Sequence, residues 1–414
     1  MDGENEKSKI GFAGLTEFVT KFSDSSIKPK KALVLQPKIG SALITSSPSI
    51  TLTGHSDAVD GACQLSDGRL LSWSWDNTLR LWSSEGEELR ALTGHTRWVS
   101  GACELSDRRL LSWSRDCTLR LWSSNGEVLR VLTGHTDWVR GACELSDRRL
   151  LSWSDDKNLR LWSSEGEELQ VLTGHTQLLR GACELSDRRL LSWSMDCTLR
   201  LWSSNGEALR VLTGHTDLGG SVSIGACELI DGRVLSWGRD ETPRLWSSEG
   251  EELRVLTGHT GYVCGACELS DRRLLSWSLD HTLRLWSHKG EELGVLTGHK
   301  WHVHGACELS DRRLLSWSDD KNPRLWSSEG EELRVLTGHL SIVLGAFELS
   351  DRRLLSWSHD RTLRLWSNEG DELMVLTGHT DLGGNVGIGA CELIDGRVLS
   401  WGRDRTLRLW NVSE

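Results

Sequence analysis

The chain has 414 residues, with 48 Lys and Arg against 59 Asp and Glu, a formal charge of −11, and 38% hydrophobic residues. Such a length ordinarily holds two or three domains with ample core, and the acidic balance argues against general affinity for nucleic-acid phosphate. No apolar run approaches the ~20 residues of a membrane-spanning helix, and the acidic start Met1-Asp2-Gly3-Glu4 is followed by no signal-like core, which points to a soluble, cytoplasmic protein. The unusual count is 22 Trp beside one Tyr and four Phe. A bias of that kind suggests one short sequence copied many times.

Residues 1–48 stand apart from the rest: they hold seven of the 11 Lys and three of the four Phe. Ile10, Phe12, Leu15, Phe18, Val19 and Phe22 are spaced for one short amphipathic helix, with linker near Lys28 to Lys31 and Pro37. This segment reads as an N-terminal extension packed weakly on the main domain, or else as a docking segment for a partner. From residue 49 to the end at 414 the chain repeats itself. Leu-Thr-Gly-His recurs with His at 55, 95, 135, 175, 215, 259, 299, 339 and 379. The unit is 40 residues, lengthened to 44 in the two that begin at His215 and His379, which carry matching inserts at 218–224 and 382–388.

Within the unit from His95, residues 99–105 alternate small or apolar with polar side chains, and Ser106-Asp107-Arg108 turns into a second strand over 109–114. Arg115-Asp116-Cys117 turns into a third over 118–122, and Ser123-Ser124-Asn125-Gly126 into a fourth over 128–132. Short strands with turn signals every 8–12 residues predict a repetitive all-β fold. One such sheet cannot bury both faces alone, so neighbouring sheets must stack around an axis. The last unit stops after its third strand, at Leu409-Trp410-Asn411-Val412, and the missing strand is available at about 49–52. Pairing the two would close the ring and remove exposed edges.

With these residues in view, the unit resembles the WD-repeat (WD40) β-propeller family, and near-identity of the units is similar to bacterial highly repetitive propellers. The resemblance implies a closed propeller of four-stranded antiparallel blades, here nine; an eight-bladed ring with a displaced unit, or strand exchange between chains, is the competing arrangement. It also implies a hydrogen-bonded tetrad in each blade, which in the first unit falls on His55, Ser72, Asp76 and Trp82. Ser72 and Ser74 both fit by parity, but equivalents of Ser74 become Gly238 and Gly402, so Ser72 is preferred. The sequence departs from the family twice. Trp-Asp at the end of the third strand is Trp-Ser in eight units and Trp410-Asn411 in the last, and a second-strand Trp (Trp73 and its equivalents) stands where the family often has a small residue.

A His, Ser and Asp repeated nine times is scaffold rather than nine catalytic triads, and the expectation is no enzyme, no cofactor and no metal. His302-Val303-His304 sets two imidazoles on one strand face near His281, without a third ligand at fixed spacing. Eight Cys share one repeat position and read as small buried residues, reduced in the cytoplasm. The units differ mainly three and five residues after the Gly-His and on either side of the turn Asp. Those positions supply Trp75, Trp98, Trp138, Tyr262, His302 and His304, with Arg115, Arg140, Arg180, Arg239, Arg403 and Arg405, and Trp301 stands beside His302 where the copies also differ. The tetrad joins both loops at one end of a blade, so by resemblance these residues lie on the top face that the family uses to bind proteins and peptides. Trp, Tyr and Arg are the residues that dominate binding interfaces energetically. The reading is a monomeric recognition scaffold for a protein or peptide, of the kind that serves as sensor or adaptor in bacterial signalling or defence. Nucleic acid gripped by the top-face Arg set, or an enzyme with a site in the channel, is the alternative; no membrane partner is expected.

Overall fold

The computed structural model describes residues 44–216, 224–380 and 388–412. The helix expected over 10–22 lies outside the described residues, as do residues 218–223 and 382–387 of the two inserts. Every regular element described is a strand. Nine four-stranded antiparallel blades form a ring: blades 1 to 8 occupy 59–92, 99–132, 139–172, 179–212, 225–255, 263–296, 303–335 and 343–377, and blade 9 uses 388–410. Blade 9 takes its fourth strand from the other end of the chain. Ile50–Thr53 runs antiparallel to Thr406–Trp410, pairing Ile50 with Leu409 and Thr53 with Thr406.

First strands of neighbouring blades touch one another, as Val59–Gln64 touches Val99–Glu104, so the first strands line the channel and the fourth strands form the circumference. The burial patterns follow. The second strand Leu110–Ser114 is buried at every position, whereas the fourth strand Glu88–Leu92 turns only Leu92 fully inward. Its exposed positions mix charged residues such as Glu88 and Arg90 with leucines such as Leu89, and charge on an edge is one way natural sheets blunt an unpaired strand.

The core consists of nine wedges between blades. Leu71, Trp73, Leu79 and Leu81 of blade 1 meet Val99, Ala102, Leu110 and Trp122 of blade 2. The same residue types recur at each of the other eight junctions. The ninth junction includes Leu52 from the closing strand, packed with Leu399, Leu407 and Leu409 of blade 9 and Val59, Leu70 and Trp82 of blade 1.

The second-strand Trp alters this packing in a definite way. Trp73 pairs across the strands with Gly61, and its ring covers the glycine: a Cβ built on Gly61 would stand 2.2 Å from Cζ2 of the indole. The first strand has given up a side chain so that the second can carry an indole. A further strand, Ile44–Ser46, pairs in parallel with the outer strand Glu372–Thr377 of blade 8, which makes that sheet five-stranded.

Candidate partner-binding face

The tetrad positions this face. In blade 2, Nδ1–H of His95 donates to Oδ2 of Asp116 at 2.8 Å, the Ser112 hydroxyl donates to Nε2 of His95 at 2.8 Å, and Nε1–H of Trp122 donates to the same hydroxyl at 2.9 Å. The ionised Asp116 can only accept hydrogen bonds, so the proton of the His95 ring sits on Nδ1. The chain of bonds recurs in all nine blades, on His55, Ser72, Asp76 and Trp82 in blade 1 and on His379, Ser400, Asp404 and Trp410 in blade 9. Burial pushes the Asp116 carboxyl up, but bonds from His95, Thr118 and the Thr96 amide outweigh it and hold the group well below the usual carboxylate range. Burial also lowers His95 against the pull of Asp116. A closed network of this kind satisfies its own polar groups and offers no spare donor or acceptor for chemistry.

The tetrad ties the Gly-His loop to the turn between second and third strands, and the residues flanking the turn Asp project beside the channel mouth. The residue after the Asp adopts a left-handed conformation in every blade, from Asn77 (φ 71°) to Arg405 (φ 69°). In four blades the residue before it, Trp75, Arg115, Arg239 or Arg403, meets the neighbouring blade. Trp75 of blade 1 stacks on Trp98 of blade 2, with ring centroids 4.2 Å apart and planes 1° from parallel. Arg115 then lies between two indoles, its guanidinium carbon 4.1 Å from the Trp98 ring and 4.2 Å from that of Trp138 in blade 3. Arg403 of blade 9 covers Trp75 at 4.8 Å, and Arg140 stands 5.3 Å from Trp138 while forking onto Asp155 at 2.8 and 2.6 Å. Nε1–H of Trp75 donates to Asp60 at 3.0 Å. One unbroken ladder therefore runs Arg403, Trp75, Trp98, Arg115, Trp138, Arg140, Asp155 across four blades.

The remaining top-face residues fall into two smaller groups. Arg239 of blade 5 covers Tyr262 of blade 6 at 4.9 Å. In blade 7, Asp319 sits between His302 at 3.2 Å and His304 at 2.5 Å, and His281 of blade 6 approaches both His302 and Trp301, with centroids 5.6 and 6.2 Å apart. Among the described residues, no three such side chains converge as metal ligands would. Trp301 is 59% exposed, the most open of the four irregular Trp, whereas Trp75, Trp98 and Trp138 are half-buried in the ladder. Arg180 and Arg405 are exposed and join no stack. The acidic members Asp60, Asp155 and Asp319 occupy the same variable positions as the Arg and Trp, so the signal that marks them was present in the sequence.

Residues 46–83, 86–123, 126–163 and 250–287 match the family described as WD domain, G-beta repeat. The chain is a WD-repeat propeller. The solved structure of the computationally designed Ika8 protein is similar in fold, with a TM-score of 0.60 at 22% identity over 89% of this chain and all of that one. The WD40 β-propeller domain of Doa1 is similar at 21% identity and a TM-score of 0.48, over 89% of this chain and 97% of that one. No protein of curated function matches the chain in sequence. WD-repeat propellers are generally non-catalytic scaffolds that bind proteins or peptides.

Two features of this WD-repeat propeller explain why its other end is so uniform. The Ser that replaces the eponymous Asp accepts the amide of the residue four positions on, as Ser83 does from Glu87 at 3.0 Å, and so holds the turn between third and fourth strands. The turn between first and second strands is strapped to the next blade: the Ser66 amide and hydroxyl both donate to Glu104, at 2.6 and 2.9 Å. Equivalent straps join every neighbouring pair, and the last, from the Ile394 amide to Gln64 at 2.8 Å, closes the circle between blades 9 and 1. Arg109 adds a reach to the carbonyl of Ser164 at 2.8 Å. Burial pushes the repeated thiols of Cys103, Cys143, Cys267 and Cys307 up, to about 12 for Cys143 and Cys267, which leaves them poor nucleophiles.

Proposed function

We propose that this WD-repeat propeller is a non-catalytic recognition scaffold that binds a protein or peptide on its top face, as a single ring in the cytoplasm. The ladder from Arg403 to Asp155 carries the reading. It gathers indoles and guanidiniums from four blades at positions where the copied units otherwise differ, and those residue types supply most of the energy in binding interfaces. Each member is already held by its neighbours, so little side-chain entropy remains to be lost on binding. The uniformity of the bottom face follows from its own straps, and the contrast between the two ends therefore adds no weight. The ladder and the open Trp301 do.

The test is affinity capture from the native cell with the intact chain, with Trp98→Ala/Trp138→Ala and Trp301→Ala as top-face variants and Ile394→Ser as a bottom-face control. Loss of the captured partner in the top-face variants alone, at unchanged thermal stability, is the expected result. Retention by both top-face variants sinks the reading.

A further inference from the structure

The ladder holds Arg115 as a flat plate. Indoles cover both of its faces, and among the described residues its N–H edge donates to no other group. A guanidinium fixed in this way presents a rigid fork of unused donors, the geometry that matches a carboxylate. The neighbouring Arg140 shows such a match within the protein itself, since it grips Asp155 through Nε and Nη2 at 2.8 and 2.6 Å. Arg180, one blade further round, is exposed and has no ion-pair partner among the described residues.

These charges form one connected set. Arg115 and Arg403 act on Asp60; Arg140, Asp60 and Asp155 act on Arg115; Arg140, Asp155 and Arg239 act on Arg180. With Asp319 standing near Arg239 and Arg403 at the two ends of the set, five guanidiniums stand against three carboxylates, a local surplus of two positive charges on a chain whose net charge is −11. A concentrated field of one sign at a channel mouth attracts the opposite charge.

We propose that this arc receives an acidic segment of the partner, with Arg115 and Arg180 binding Asp or Glu carboxylates; the proposal rests on the top-face reading above. The ladder argues against single-stranded nucleic acid as the occupant. Trp75 is covered by Trp98 and Arg403, and Trp98 by Trp75 and Arg115, so neither offers a face on which a base can stack. A polyanion longer than the arc also meets a strongly acidic molecule.

Fluorescence anisotropy of the full chain with a labelled short peptide of alternating Glu and Ser tests this, beside the same peptide with Gln for Glu and single-stranded DNA of equal length. The Glu peptide is expected to bind, more weakly as salt rises, while the Gln peptide does not. Arg115→Gln and Arg180→Gln are each expected to weaken it roughly tenfold or more, and Arg115→Lys nearly as much, because a lysine cannot present the fork. Thermal denaturation of each variant establishes that it is folded. Equal binding of Glu and Gln peptides, unchanged affinity in both Gln variants, or tighter binding of the DNA overturns the proposal. If the Trp98→Ala/Trp138→Ala variant loses its cellular partner while the Glu peptide fails, the acidic-segment proposal falls and the top-face reading stands.

Discussion

Trp113 covers Gly101 so closely that a Cβ on the glycine would lie 2.3 Å from Cζ2 of the indole. The pair sits opposite in register across first and second strands, beside a bulge between Val99 and Gly101. The indole fills the space that a first-strand side chain would otherwise take, and the same pairing recurs in every blade. Gly101→Ala must displace a ring that is packed into the junction with blade 3. We expect it to destabilise by about 1–3 kcal/mol, the range for overpacking. Trp113→Ala should cost about 3–5 kcal/mol through the cavity it leaves. Combining Gly101→Ala with Trp113→Leu should cost less than the sum of the two, which a double-mutant cycle in urea measures. Strict additivity would show that the two residues do not share the space.

Acid should unfold the ring in two stages. His95, His299, His339 and His379 are lowered from the ordinary imidazole value, by burial first. The unfolded chain therefore takes up these protons before the folded one does, so stability is full above about pH 7 and falls as pH drops below about 6.5. The turn carboxylates such as Asp116 and Asp360 are depressed in the fold despite burial, so the stability they add is present above about pH 4 and is lost below it. Urea midpoints between pH 8 and 3 should fall gently at first and steeply at the end. A rise in stability from pH 7 to 5 would contradict the assignment, since it would mean that the tetrad histidines gain charge on folding.

Ser112 and Ser114 lie two residues apart on one strand and should differ in importance. Ser112 satisfies Nε2 of His95 and Nε1–H of Trp122, both buried. Ser114 spans the Arg97 carbonyl and the Asp116 amide in a partly exposed turn, and Gly238 and Gly402 stand in its place elsewhere. Ser112→Ala leaves two buried polar groups unpaired, and we expect a loss of roughly 2–3 kcal/mol. Ser114→Ala should cost clearly less. Equal losses in thermal or urea denaturation would place the structural weight of the hydroxyls elsewhere.

Much of this architecture was legible because it is local and repeated. Nine Gly-His signals, four alternating runs per unit and an orphan strand at each end predict the ring, and Ile50–Thr53 pairs where an open blade required a strand. The ladder was not legible in the same way. The columns holding Trp75, Trp98, Arg115 and Trp138 stand out as variable, yet nothing in a single chain says that the residue before one turn Asp reaches the next blade. For the same reason the straps are not legible in the sequence, since Ser66 and Glu104 are 38 residues apart and each looks like ordinary loop polarity. The three-residue strand Ile44–Ser46 is too short to show a period and takes its place from the edge of blade 8.

The turn between first and second strands carries avoidable strain. Arg108 has φ of 70°, and Arg148, Arg188, Arg272, Arg312 and Arg352 adopt the same left-handed conformation, where Gly68, Gly232 and Gly396 stand in the other units. A side chain in this region costs about 1 kcal/mol that glycine does not incur. Arg108→Gly should therefore raise stability by a few tenths to about 1 kcal/mol, and the six substitutions, far apart on separate blades, should add. Differential scanning calorimetry of the single and sixfold variants measures this. A fall in Tm in the sixfold variant would show that these arginines stabilise the turn by more than its strain.

Closure depends on a strand of only four residues, and its one fully buried side chain is Leu52, 2% exposed among Leu407, Leu409 and Val59. Leu52→Ala removes most of what holds the strand against blade 9, at a cost of about 2–5 kcal/mol. Because each blade contacts only its neighbours, that loss should appear locally before it appears globally. We expect hydrogen exchange to speed up in Thr406–Trp410 and in the Ile394-to-Gln64 strap, with blades 3 to 6 protected as before. The variant should also self-associate more, since Thr406–Trp410 becomes an unpaired edge. Uniform loss of protection around the whole ring would mean that the nine blades unfold as one unit and that the closing strand is no weaker than any other junction.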